Sequence, residues 1–251
     1  MAYGSNIPRD HPRYLSLIMR ETLVKGFELG IVNLNGLIAH GRGEAFDYLL
    51  GEKSHNFSIK AIEAAMAKLH LSKNTVFSVN GNVAMLIPEQ LKEFQDLTKI
   101  KVEINLFHRS LIRIKKIKKH LESYGISVIN SDDDSDIVDI RVIKSDRALV
   151  SRNGIYSADV VIVPLEDGDR TLALKKLNKF VIAIDLNPLS RTAKEADITI
   201  VDNLIRVMPL FISYYKKLGK LDRSELNKII NSFNNKKNLR EAEKAIRQSL
   251  K

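Results

Sequence analysis

The chain of 251 residues has no cysteine and no tryptophan. Without cysteine there is no disulfide framework, no thiolate nucleophile, no Cys-ligated zinc and no iron–sulfur cluster. Aromatic residues are 6% of the total, and neither a glycine–aromatic RNA-binding signature nor a zinc knuckle is present. No apolar run approaches the roughly 18 residues that a membrane span needs. The first residues also lack a cationic stretch followed by an apolar one, so neither a transmembrane helix nor a signal peptide is expected, and a cytoplasmic setting fits best.

A formal charge of +10 invites a nucleic-acid reading, but its distribution argues otherwise. Residues 216–251 hold 11 basic and 4 acidic side chains, whereas residues 1–215 hold 29 and 26. The excess therefore belongs mainly to a C-terminal appendage. A second cluster, Arg109, Arg113, Lys115, Lys116, Lys118 and Lys119, alternates with Leu111, Ile114, Ile117 and Leu121 at helical spacing, which reads as the wet face of an amphipathic helix. Neither nucleic acid nor membrane is an expected partner.

Short Val/Ile-rich runs recur, as in strands buried on both faces of a parallel sheet. They are Val76–Val79, Val102–Phe107, Ile126–Ile129, Val160–Val163, Val181–Ile184 and Ile198–Val201. Gly36–Ala39 is either a further strand or the floor of a loop. Helical patterns lie between them. One starts at Asp10-His11-Pro12, runs to about Leu29 and buries Tyr14, Leu17, Ile18, Val24 and Phe27; another is marked by Ile59, Ile62, Met66 and Leu69. A third spans Leu204–Leu218, where Pro209 predicts a break or kink. The alternation predicts an α/β fold: a doubly wound, mainly parallel sheet with helices on both faces. The acid run Asp132, Asp133, Asp134 and Asp136 reads as a solvated loop before an edge strand from Ile137 to Ile143. Two tail helices, striped by Leu226, Ile229, Ile230 and Phe233 and by Leu239, Ala242 and Ile246, must pack on the body or on a second subunit. The expected division is a domain at 1–219 and a basic helical tail at 220–251.

In open α/β sheets, ligands bind outside the carboxyl ends of the strands. The loops there are rich in Asn, Asp and Arg: Asn80-Gly81-Asn82, Asn105 to Arg109, Pro164 to Thr171, Asp185 to Thr192, and Asp202-Asn203. One such loop is ordinary turn chemistry, but several at one sheet edge point to a convergent polar site. Gly41-Arg42-Gly43 reads as a glycine-flanked arginine opening a short helix, suited to a phosphate. Phe46 occupies the third glycine position of G-x-G-x-x-G, and no P-loop string exists, so a standard NAD site or P-loop is not expected. Arg13 and Arg20, seven residues apart, share one helix face. They either serve phosphates, with Arg42, Arg109, Arg170 and Arg191, or make surface salt bridges. The six histidines (His11, His40, His55, His70, His108, His120) lack metal-ligand spacing, so no resident metal site is expected. Of these, His40 alone falls inside a candidate site, for acid–base work or a structural hydrogen bond.

Read in order, these strings resemble archaeal 4-phosphopantoate–β-alanine ligase, the phosphopantothenate synthetase family of coenzyme A biosynthesis. The resemblance rests on Ile7-Pro8, His11-Pro12-Arg13-Tyr14, Arg20-Glu21, Gly36 through Leu49, and Ser78 through Ala84. It continues with Glu103 through Phe107, Gly154 through Val160, Val163 through Thr171, Asp185 through Thr192, and Ala196 through Asn203. It spans about residues 7–215. The resemblance implies a Rossmann-like homodimer and ATP-dependent joining of 4-phosphopantoate to β-alanine, with release of AMP and pyrophosphate. It also implies nucleotide contacts at Arg20, Arg42, Asp185, Leu186, Asn187, Arg191, Thr192, Asn203 and Leu204.

On that footing Arg42 and Arg20, with Mg²⁺, would neutralise the triphosphate. Arg109 or Arg13 would hold the substrate phosphate, and Asn80, Asn82 and Asn105 the pantoate oxygens. Glu166 or Asp169 would orient the β-alanine ammonium or accept its proton. The competing readings are a non-catalytic nucleotide-binding module and an RNA-binding protein that uses the basic tail.

Overall fold

The computed structural model describes residues 7–106, 109–129, 136–140 and 149–249. Three helices come before the first strand: α1 (Tyr14–Glu28), α2 (Leu34–Leu49) and α3 (Asn56–Leu71). Next come β1 (Thr75–Val79), α4 (Gly81–Leu86), α5 (Pro88–Thr98), β2 (Lys101–Ile104) and α6 (Leu111–Ser123). A small antiparallel pair, β3 (Ile137–Asp139) and β4 (Leu149–Ser151), leads through a wide turn at Arg152–Tyr156 into β5 (Val160–Pro164). The chain continues as α7 (Gly168–Lys176), β6 (Phe180–Ile184), α8 (Arg191–Glu195), β7 (Ile198–Ile200), α9 (Leu204–Leu218), α10 (Arg223–Ser232) and α11 (Asn235–Ser249).

Five strands form one parallel sheet in the order β2-β1-β5-β6-β7. The direction of winding reverses between β1 and β5, which opens a crevice at their carboxyl ends. Period-two alternation divides each strand between two apolar layers. Phe77, Ile162 and Ile182 join Ile62, Met66, Phe94 and Phe211 on one face, while Val76, Val161 and Val181 join Ala173 and Leu174 on the other. The sheet is therefore covered by helices on both sides, as the sequence predicts. Among the described residues no helix is long and apolar enough to cross a membrane. The tail stripes are covered by the same chain. Leu226, Ile229, Ile230 and Phe233 extend the layer built on α3, and Ala242, Leu239 and Ile246 meet Leu50 and Phe57.

Four of the strand ends turn directly into helices through polar caps. The side chains of Asn80, Asp167, Ser190 and Asn203 accept from the amides of Val83, Arg170, Ala193 and Ile205. Such caps satisfy amides that a helix start leaves without partners.

Several expectations need correction. Gly36–Ala39 is neither strand nor loop: α2 runs unbroken through Gly36, Gly41 and Gly43, so Arg42 lies mid-helix and opens no helix. In α1 the buried side is Ser16, Met19, Leu23 and Gly26, while Val24 and Phe27 are exposed, because α1 turns its small-residue edge toward Val32 and Met85. The helix α9 continues through Pro209, which sits on its exposed side away from the core. Ile126–Ile129 contributes one bridge, Val102 to Val128, and β3 pairs with β4 instead of the sheet edge. The acid run at Asp132, Asp133 and Asp134, the end of the expected strand at Ile143, and His108 lie outside the described residues.

Gly81 marks a close approach between the first βα turn and the α1–α2 connection. A Cβ there would lie 2.4 Å from the Ile31 carbonyl oxygen and 3.3 Å from Val32 Cα, both main-chain atoms that cannot rotate away. Gly81→Ala is expected to cost about 1–3 kcal/mol in urea denaturation; an unchanged midpoint would show that this approach is not tight.

Candidate active site

Helix α2 lies across the carboxyl ends of the strands, and polar contacts hold it there. At its start, Asn82 Nδ2 donates to the Gly36 carbonyl (2.9 Å), and a Cβ on Gly36 would fall 2.4 Å from Asn82 Oδ1. Midway, Gly43 faces Leu186, just past β6. Near its end the buried Asp47 accepts from Asn203 Nδ2 (2.8 Å) and from Arg206 Nη1 (3.2 Å) and Nη2 (2.5 Å). Arg206 Nε also donates to Asp202 (2.8 Å). One guanidinium thus neutralises two buried carboxylates and joins α2 to the end of β7.

The opposite side of α2 meets α1. Arg20 donates from Nε and Nη2 to Glu44 (2.9 and 2.6 Å) and from Nη2 to the Tyr48 hydroxyl (3.1 Å), which also accepts from Arg13 (2.8 Å). Burial opposes ionisation of Glu44, but the Arg20 hydrogen bonds and charge prevail and hold its carboxyl below the usual range. The salt-bridge alternative therefore describes Arg20, and Arg13 is fixed to Tyr48. Half-buried His40 presents Nε2 with no hydrogen-bond partner among the described residues. Burial, with the Arg20 charge, holds its imidazole below the usual value against the carboxylates of Glu44 and Asp47.

Arg42 is exposed, and its charge acts on Asp185. Burial pushes the Asp185 carboxyl up, while Ser190, Asn187 and Arg42 work against that shift. Asp185 accepts from the Asn187 amide (2.9 Å) and the Ser190 hydroxyl (2.5 Å), so it orders the turn after β6. Asn187 in turn caps the Leu189 amide (2.9 Å). The next residues tie this loop to the one after β5. Arg191 Nη2 meets the exposed Asp169 (2.6 Å), and the buried Thr192 donates to the Glu166 carbonyl (2.8 Å). Leu186 and Leu204 are packed in apolar clusters, so their main chain is what they offer a ligand.

At the switch point, Asn80 Nδ2 donates to the carbonyls of Pro164 (3.2 Å) and Leu165 (3.3 Å), linking the ends of β1 and β5. Asn105 is buried past β2; its Nδ2 donates to the Leu149 carbonyl (3.2 Å), and Oδ1 has no partner among the described residues. Glu166 turns inward: its side chain is 2% exposed and stands 3.8 Å from Arg170 Nε. Arg109 acts electrostatically on the buried Glu103 of β2. The candidates gather along one sheet edge, yet many already serve as caps and braces. Asp47, Arg206 and Glu103 are charged groups at this edge to which the sequence reading gave no part, and Arg170, expected among the phosphate ligands, is fully buried instead. Two cavities lie elsewhere: about 240 Å³ at the amino ends of β1 and β2, beside Lys73, Lys99 and Lys101, and about 290 Å³ between α3 and the tail helices.

The fold and the edge together define a doubly wound α/β protein that collects arginine, carboxylate and amide groups where such sheets hold ligands. Residues 57–249 match the model of the phosphopantothenate/pantothenate synthetase family, and the chain belongs to that family. It is 46% identical to 4-phosphopantoate–β-alanine ligase of Methanosarcina mazei over 248 residues, covering 98% of this chain and 96% of that one. The enzyme of the same name from Thermococcus onnurineus is 47% identical over 250 residues, 97% and 93% of the two chains. That from Thermococcus kodakarensis is 45% identical over 251 residues, 98% and 94%. The resemblance read from the loops is borne out.

Removing Asp47 takes two hydrogen bonds from the largely buried Arg206, which keeps Asp202, and one from Asn203. Asp47→Ala is expected to destabilise the protein by about 1–3 kcal/mol, read as a lowered Tm; a variant that melts like the wild type would mean that this pair does not hold α2.

Proposed function

We propose that the protein is an ATP-dependent ligase that joins 4-phosphopantoate to β-alanine, forming 4′-phosphopantothenate, AMP and pyrophosphate in coenzyme A biosynthesis. The observation that carries the reading is likeness along nearly the whole chain to ligases of that name. In this proposal the protein works in the cytoplasm as a homodimer. The exposed apolar side chains Leu34 and Ile38 of α2 and Leu111 and Ile112 of α6 support a contact between subunits.

A carboxylate is a poor acyl donor. Its oxygen attacks the α-phosphorus of ATP, pyrophosphate leaves, and the resulting acyl-adenylate is attacked by the β-alanine amine, with AMP as the second leaving group. Such a sequence depends on positioning and charge neutralisation more than on covalent help from the protein. Arg42, exposed on α2 beside Asp185, faces the triphosphate, and Arg20, whose guanidinium is held by Glu44 and Tyr48 where α1 meets α2, adds positive charge at the end of the site nearer α1. The turn at Asp185, Leu186 and Asn187 holds the nucleoside, with Arg191, Thr192, Asn203 and the main chain of Leu204 closing around it. Magnesium fits as an ion bound to the nucleotide phosphates that keeps several waters and needs no protein cage.

Arg13 or Arg109 takes the substrate phosphate, and Asn105 Oδ1, an acceptor with no partner among the described residues, suits the pantoate hydroxyl. Asn80 and Asn82 support this half by fixing the β1 turn. For the β-alanine ammonium, exposed Asp169 is better placed than inward-turned Glu166. His40, kept neutral by burial and with Nε2 unpaired, is suited to take the amine proton.

The direct test mixes the protein with ATP, Mg²⁺, 4-phosphopantoate and β-alanine and separates the nucleotides. AMP forming only when both co-substrates are present is the expected result. ADP would replace the adenylate by an acyl-phosphate, and no turnover would remove the ligase reading. Arg42→Ala is expected to lower kcat/KM by about 10²-fold or more; near-wild-type kinetics would take Arg42 out of charge stabilisation.

A further inference from the structure

Three polar side chains alternate along one face of the edge strand β2, and all reach the same short segment. Lys101 Nζ donates to the Asn153 carbonyl (2.8 Å), and Asn105 Nδ2 to the Leu149 carbonyl (3.2 Å). Between them Glu103 accepts from the amides of Ser151 (3.0 Å) and Ile155 (2.7 Å), one on each carboxylate oxygen. The fit is close, since a Cβ on Gly154 would fall 1.9 Å from Glu103 Oε2. Residues two apart in a strand share a face, so this edge grips segment 149–155 by its backbone.

Glu103 is 1% exposed, and the charge acting on it from α7 is Arg170, itself fully buried. Arg109 acts on Glu103 from the chain after β2. Arg170 also feels Asp167 and stands 3.8 Å from Glu166, whose carbonyl accepts the Thr192 hydroxyl. Hydrogen bonds from segment 149–155 to Glu103, the charge of Arg170 acting on Glu103, and the Arg170–Glu166 and Thr192–Glu166 contacts together link that segment to the loops after β5 and β6.

Fold stability does not call for this arrangement, because well-packed apolar residues in place of a buried ion pair are often neutral or stabilising. Burial pushes Glu103 up to about 7 despite its two amide donors and the charges of Arg170 and Arg109, and it lowers Arg170 to about 10. A carboxyl raised on folding contributes most to stability below its free value of 4.5, and that contribution is lost as pH rises through about 7. The charged form of Glu103 is thus kept at some cost to the fold, at the edge where the reaction is placed.

We propose that Glu103 and Arg170 are positioning residues of the ligase, fixing segment 149–155 and the loop at 166–169 as two walls of the 4-phosphopantoate half of the site. This rests on the ligase reading above. Neither residue touches the reacting atoms. The attraction between their charges sets the separation of the two walls, and through Glu166 and Thr192 it sets where Asp169 and Arg191 stand.

The test is steady-state kinetics of the full chain from about pH 5.5 to about 9, varying 4-phosphopantoate and ATP separately, for Glu103→Gln, Arg170→Lys and Arg170→Met. Wild-type kcat/KM for 4-phosphopantoate is expected to fall as pH drops through about 7, where Glu103 takes up its proton. Glu103→Gln should lack that limb and raise KM for 4-phosphopantoate roughly tenfold or more, with KM for ATP within about twofold of wild type. Arg170→Lys, which keeps the charge, should recover part of what Arg170→Met loses. Thermal melts check folding, and if Arg170→Met does not fold, the other two variants decide. Folded variants with wild-type KM and the same acidic limb would overturn the positioning role and leave the ligase reading standing. Wild-type protein that forms no phosphopantothenate would overturn both.

Discussion

The carboxylate of Asp47 holds a helix that belongs to neither face of the sheet. Asp47 accepts from Asn203 and Arg206 at the end of β7, and through it α2 is drawn across the strand ends. One glycine of α2 lets it lie close: Gly36 leaves room for Asn82, where a Cβ would fall 2.4 Å from Oδ1. None of the large apolar side chains of α2 is fully buried, and its buried residues are Glu44 and Asp47, so hydrogen bonds and charge hold its place. The charge of Arg42 acts on Asp185, Arg20 pairs with Glu44, and His40 is half-buried because α2 sits where it does.

Beneath α2 the site is assembled from turn chemistry. Asn80, Asp167, Ser190 and Asn203 each cap the helix that follows their strand, and each cap fixes a short loop at one sheet edge. Those side chains have already given their acceptors to main-chain amides. What remains for a candidate ligand is a smaller set: the exposed heads of Arg42, Arg191 and Asp169, the loop main chain, and Nε2 of His40 and Oδ1 of Asn105, which have no hydrogen-bond partner among the described residues. The familiar order of strand, capped turn and helix therefore yields a binding edge without a glycine-rich phosphate motif.

Much of the sheet is legible in the sequence because a strand buried on both faces must be apolar at every position. Val160–Val163, Val181–Ile184 and Val76–Val79 are strands nearly at their expected bounds. The polar loops are legible for the same reason, being where that apolar pattern stops. The helix α2 is not, since its glycines and weak apolar periodicity resemble a loop, and the partners that stabilise it, Asn82, Asn203 and Arg206, are distant in the chain. Pro209 misleads in the other direction, since α9 is not broken there. Glu103 and Arg206 did carry a signal, each a lone charge inside an apolar run (Val102-Glu103-Ile104 and Leu204-Ile205-Arg206-Val207), but the identity of the buried partner depends on the fold. Arg170 was read as one more phosphate ligand, because sequence does not show that its guanidinium turns into the core.

The central claim is that α2 and the strand ends beneath it form the nucleotide site. A crystal structure of the full chain with bound ATP tests it most directly. The account predicts the triphosphate against Arg42 and the adenosine along Asp185, Asn187 and Asn203. A nucleotide seated at the opposite edge, in the cavity beside Lys73, Lys99 and Lys101, with no phosphate touching α2, would contradict it.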